Sequence, residues 1–187
     1  MASATTHASH SAVRSRSQRA PHAKRLRGAG GTRAKDAVAL LKADHRQVEQ
    51  WFAQFAKARN GSRKQQLASK ICQALRIHTL IEEAIFYPAF LAATRDKALH
   101  HEAVVEHDGA KALIAQIERM RASDDYFEAK VTVLAEMIKH HVHEEEQPGG
   151  MFAEAKKSDL DLRALGEQLA ERKRRLQSQQ RGAHALQ

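Results

Sequence analysis

Leu67-Ala68-Ser69-Lys70-Ile71-Cys72-Gln73-Ala74-Leu75-Arg76-Ile77-His78-Thr79-Leu80-Ile81-Glu82-Glu83-Ala84-Ile85 decides how this chain reads. Leu67, Ile71, Leu75, His78, Glu82 and Ile85 recur at steps of three or four, the stripe that an amphipathic helix turns toward a core. Phe127, Val131, Leu134, Ile138, His141 and Glu145 repeat the pattern farther along. Two more helix-length segments carry a His on the same kind of stripe: Leu41, His45, Val48, Phe52 and Phe55, and Ala103, His107, Ala110, Ile114 and Ile117. Burying an unpaired carboxylate is costly, and a bound cation offsets that cost. The pattern points to a metal site inside a bundle of helices.

Working outward, helix one is predicted from Lys35 to Arg59 and stops at Asn60-Gly61-Ser62. Helix two runs from Arg63 to Ala93, with Pro88 kinking or ending it. Helix three covers Lys97 to Ala122. Ser123-Asp124-Asp125 supplies N-cap residues for helix four, Asp124 to Gln147. Pro148-Gly149-Gly150 interrupts the chain, and Ser158-Asp159 opens a fifth segment, Leu160 to Gln177. Short loops between long amphipathic helices predict an all-α fold, an up-down-up-down four-helix bundle. Residues 1–34 read as a disordered basic tail, 35–157 as the bundle, and 158–187 as a short C-terminal helix with a frayed end.

A chain of 187 residues with three prolines and nine glycines suits one helical domain. The single Cys72 makes no internal disulfide, no apolar run nears the roughly 20 residues of a membrane span, and a cytoplasmic location is expected. The formal charge of +9 is unevenly placed: residues 1–35 hold eight of the 31 basic residues and none of the 22 acids. The tail lacks the apolar residues to fold. It reads as a solubility tail, as a weak nucleic-acid contact, or as an Arg- and Ser-rich transit peptide.

His-x-x-x-Glu puts both side chains on adjacent turns of one helix face, within reach of one centre or two neighbouring ones. Carboxylate and imidazole together suit iron, manganese or zinc, and no Cys cluster accompanies them. On helix four the pair His140 and Glu144 has the same spacing as His141 and Glu145. The stripe behind His141 is uninterrupted by charge, whereas Lys130 interrupts the one behind His140, so His141 is preferred. His143 and Glu146 are then expected in solvent, Tyr87 and Trp51 as packing residues, and Cys72 as an inert thiol. A ferritin-like di-iron site needs Glu-x-x-His on two helices, and no Glu here has a His three residues later. No catalytic Ser/His/Asp set, phosphate-binding glycine loop or thiol-redox motif is present.

Ala43-Asp44-His45, His78-Thr79-Leu80-Ile81-Glu82-Glu83 with Phe86-Tyr87-Pro88, Glu106-His107-Asp108, and His140-His141-Val142-His143-Glu144-Glu145-Glu146 together resemble the hemerythrin-like HHE cation-binding domains. The resemblance covers Asp36 to Leu176. It implies a four-helix bundle around a non-haem di-iron centre, with iron ahead of zinc or manganese. It further implies His45, His78, His107 and His141 as terminal ligands, and Glu82 and Glu145 as bridges. Two positions depart from the oxygen-carrying members. Those have His-x-x-x-His on the third helix, where this chain has Ala103 and Lys111 around His107, and an Asp five residues after the last His, where it has Glu145 at four. The resemblance therefore implies sensing or handling of oxygen, iron or reactive oxygen and nitrogen species, with dioxygen, peroxide or nitric oxide as the small-molecule partner. The alternatives are a peroxide-decomposing enzyme at the same metals and an interaction module with a structural metal.

Overall fold

Three of the long helices begin at residues whose side chains cap them. In the computed structural model, which describes residues 35–184, Asp36 accepts a hydrogen bond from the Ala39 amide at 2.7 Å and starts α1, Ala37–Lys57. Asn60 accepts from Arg63 at 3.1 Å and starts α2, Gly61–Ile81. Asp96 does the same for Leu99 at the head of α4, Lys97–Ile117. Each occupies one of the amide groups that a helix start leaves without a partner. The predicted tail, residues 1–34, lies outside the described residues.

The expected cap of the fourth bundle helix is different. Asp124 instead accepts from the Arg121 amide at 2.8 Å and fastens the loop. α5, Phe127–Glu146, starts after Tyr126, whose φ of 67° is left-handed.

Helix two runs on past Ile81, though not as one regular helix. Glu82–Phe86 forms a π turn, closed by the Tyr87 amide donating to the Glu82 carbonyl, and α3, Tyr87–Thr94, continues the rod. Pro88 stands at the start of α3, where its missing N–H and ring are accommodated by the looser turn just upstream. The kink expected at Pro88 is thus an inserted residue before it.

α1, the α2–α3 rod, α4 and α5 make the up-down-up-down bundle. Two further helices complete the fold: α6, Met151–Lys157, and α7, Leu162–His184. With 23 residues, α7 is longer than the sequence suggested, and it packs along α1, α2 and the π turn, burying Leu165 and Leu169. Gly166 permits the approach. A Cβ there would stand 2.5 Å from the Lys35 carbonyl and 2.8 Å from the Ala37 amide.

The apolar interior has two parts. One gathers Val48, Phe55, Ile71, Leu75, Ile114, Phe127, Leu134 and Ile138. The other gathers Leu41, Ile81, Phe86, Phe90, Phe152 and Leu169. Between them, on each bundle helix, sits one of His45, His78, His107 and His141, so a buried polar layer divides the core. Among the described residues no helix is long and apolar enough to cross a membrane.

Candidate metal centre

All six residues picked from the stripes converge in that layer. His45, His78, Glu82, His107, His141 and Glu145 are each at most 5% exposed. Nε2 of His45 faces Nε2 of His78 at 3.0 Å, and Nε2 of His107 faces Nε2 of His141 at 3.2 Å. Oε2 of Glu82 lies between the pairs, 3.1 Å from His78 and 3.4 Å from His107. From the opposite side, Oε2 of Glu145 is 3.5 Å from His45 and 3.7 Å from His141.

Two trios follow, His45–His78–Glu82 and Glu82–His107–His141, each able to offer one ligand atom per residue to a common point. They share Glu82. Both Glu82 oxygens and Oε2 of Glu145 are buried without a hydrogen-bond partner among the described residues. Unpartnered carboxylate oxygens are rare in a core because they are so costly, and two imidazoles with a carboxylate fit a divalent transition metal.

Behind each imidazole stands a second carboxylate. Nδ1 of His45 contacts Glu146 at 2.9 Å, Nδ1 of His107 contacts Glu83 at 3.0 Å, and Nδ1 of His141 contacts Glu106 at 2.8 Å. Nδ1 of His78 faces Asp44 at 3.7 Å, an ion-pair separation rather than a hydrogen bond. Such outer partners fix the tautomer and ring orientation so that Nε2 points inward. Glu146 was expected in solvent, and this is a correction: it is gripped by His45, Lys42 and Arg46. The stripe argument sees only one helix, whereas Glu146 finds its partners on α1. His143 is exposed, as expected.

Tyr87 is the other residue that sequence reasoning underrated. Its hydroxyl donates to Oε1 of Glu145 at 3.1 Å and lies 3.1 Å from Nε2 of His107. In a regular helix, a residue five beyond Glu82 points well away from it. The π turn inserts one residue and brings Tyr87 back to the same face, a common device at functional sites. The positions that would supply another imidazole do not reach inward with polar groups. Ala103 packs in the core, and the Lys111 ammonium binds Glu83 at 2.9 Å.

The protons are arranged accordingly. Burial lowers His45 to about 4, so it is neutral, donating from Nδ1 to Glu146. Burial also works against a charged His78, but Glu82 and Asp44 outweigh it and hold that ring at about 10. His78 therefore donates to His45, placing a positive charge in the trio. Glu82 stays ionised despite its burial, because His78 and His107 draw its pKa well down. Burial and the neighbouring Glu82 charge push Glu145 up to about 8. Burial, with the charges of Glu145 and Glu82, also raises Tyr87 well above the usual phenol range, so it remains a donor.

Beside His107 and His141 a cavity of about 140 Å³ opens between α4 and α5, lined by Ala110, Met137 and Ile138. Its walls are almost wholly apolar and it suits a small uncharged molecule.

The family model described as "Hemerythrin HHE cation binding domain" matches residues 36–148. Among solved structures, a hemerythrin HHE cation binding domain-containing protein from Mycobacterium kansasii is similar at 25% identity. The match covers 78% of this chain and 89% of that one, with a TM-score of 0.65. No curated protein matches.

Proposed function

Since the chain belongs to the hemerythrin HHE cation-binding family, we propose that it is a non-haem di-iron protein that senses or handles oxygen, iron or reactive oxygen and nitrogen species. The observation that carries this reading is the pair of buried trios sharing Glu82. His45 and His78 would hold one ion, His107 and His141 the other, with Glu82 and Glu145 spanning both. Iron is preferred to zinc or manganese through the family resemblance, and it supplies one-electron redox chemistry when bound. The residues around it orient the imidazoles through Glu146, Asp44, Glu83 and Glu106, exclude bulk water, and keep a phenol proton at Tyr87. Dioxygen, peroxide or nitric oxide would approach through the apolar cavity beside His107 and His141.

A peroxide-decomposing enzyme is the second reading. It is favoured by Tyr87, a neutral donor at the side of His107 where no further imidazole comes in. Metal analysis of aerobically purified protein, with its absorption spectrum, tests the first reading. About two irons per chain with near-ultraviolet charge-transfer bands are expected, and zinc alone would refute it. Oxygen evolution from hydrogen peroxide, lost in His78→Ala, would establish the second reading, and its absence from the iron-loaded chain would dismiss it.

A further inference from the structure

The four imidazoles of the polar layer are not held alike. Nδ1 of His45, His107 and His141 bonds an outer carboxylate at 2.9, 3.0 and 2.8 Å. Nδ1 of His78 has no hydrogen-bond partner among the described residues, although the residue is only 5% exposed. The carboxylate that it faces, Asp44, stops at 3.7 Å. Closing to the roughly 2.9 Å of an ordinary bond would satisfy it.

The difference follows from what else grips each carboxylate. Glu146 is also bound by Lys42 and Arg46, which stand on α1 with His45. Glu83 is also bound by Lys111, one turn beyond His107 on α4. Glu106 also meets His140, next to His141 on α5. In these three pairs the second partner draws the carboxylate toward the helix that carries the imidazole. Asp44 is drawn elsewhere: its Oδ1 accepts from Lys173 of α7, outside the bundle, whereas His78 belongs to α2.

The pull of Lys173 is firmly anchored. Leu165 and Leu169 of α7 are buried, and Gly166 lies against the backbone of Lys35 and Ala37. Lys173 continues the Leu165–Leu169 stripe by one turn, just before the partly buried Leu176. The carboxylate, by contrast, has room to move. Asp44 and Lys173 line a cavity of about 370 Å³ between α1, α2 and α7, beside Trp51, Ala74 and Ile77.

We infer that Lys173 is a positioning residue that holds Asp44 back from His78, leaving His45–His78–Glu82 the weaker of the two metal positions. The inference rests on the metal-binding reading above. An outer carboxylate that bonds its imidazole orients the ring and raises its basicity, and losing it costs about 10–100-fold in metal affinity. His107 and His141 both have that bond, whereas in the other trio only His45 has it.

The experiment follows cobalt(II) binding to chelator-stripped full chain by calorimetry. Anomalous scattering from crystals grown with one equivalent locates the first ion. Two unequal dissociation constants are expected, with the first ion at His107 and His141. Lys173→Met should tighten the weaker constant about tenfold and leave the tighter one unchanged, while Lys173→Arg should bind as the native chain does. Asp44→Ala and Lys173→Met/Asp44→Ala complete a double-mutant cycle, and the double variant should bind no more tightly than Asp44→Ala. A first ion at His45 and His78 overturns the inference, as does unchanged or weaker binding in Lys173→Met. So does a gain that persists without Asp44, because the loss of a nearby positive charge would then suffice. A native chain that takes up no cobalt, iron or zinc overturns the metal reading and this inference together.

Discussion

Glu145 and Glu146 are neighbours in sequence with opposite tasks. Glu145 points into the polar layer, where burial and Glu82 favour its protonated form, while Glu146 is held at about 2 against partial burial by His45, Lys42 and Arg46. Substitutions should separate these roles. Glu82→Ala removes the one group common to both trios and should abolish most metal binding. Glu146→Gln leaves every inner atom in place but weakens the hold on His45. Metal affinity should then fall by about 10–100-fold with unchanged capacity at saturating metal. His143→Ala should alter neither. Calorimetric titration of stripped protein distinguishes the three, and a Glu146→Gln chain that binds as tightly as the native one would remove the outer carboxylates from the account. The six inner residues were legible in the sequence because a helical stripe is a property of one helix read alone. Glu146 was not, since its partners belong to α1, and neither was Tyr87, since a period of 3.6 residues carries no sign of the π turn.

That turn is an element-scale feature with a residue-scale result, and α7 is another. The breaks at Asn60-Gly61-Ser62 and Pro148-Gly149-Gly150 marked the ends of the helices well, because capping and breaking are local chemistry. The length and docking of α7 were less visible: beyond Leu169 its sequence is mostly polar, and its seat is set by helices far away in the chain. α7 bears on the centre through Lys173, whose ammonium pairs with Asp44, the carboxylate facing His78. Gly166 is the residue that lets α7 lie this close to the start of α1. Gly166→Ala improves helix propensity but drives a methyl group into backbone that cannot yield cheaply. A net loss of about 1–3 kcal/mol is expected from such overpacking. Chemical denaturation measures it, and hydrogen exchange should report faster opening of α7 than of α5. A variant more stable than the native chain would show that α7 does not dock on α1 as closely as described.

At the scale of the whole molecule, the bundle carries a charged layer between two apolar ones, and its stability depends on what neutralises that layer. Metal held only by the folded chain should add about 3–4 kcal/mol at a hundred to a thousand times the dissociation constant, so chelation should lower the melting temperature clearly. The pH response of the stripped chain is more specific. Glu145 is raised from 4.5 to about 8 and His78 from 6.5 to about 10. A group whose pKa is raised by folding stabilises the fold below its unfolded value and loses that contribution as pH climbs to the folded one. Between pH 6.5 and 8 both groups hold a proton more firmly in the folded chain than in the unfolded one. His45, lowered from 6.5 to about 4, acts in the opposite sense but only below this window. Stripped protein should therefore lose stability as pH rises from 6.5 to 8, by on the order of 1 kcal/mol per pH unit for each group. Loaded protein should not, because metal replaces those protons and binds more tightly as they leave. Thermal melts of both forms at the two pH values decide the matter. A stripped chain whose melting temperature holds level or rises over that interval would mean that the layer is not held together by protons in the absence of metal.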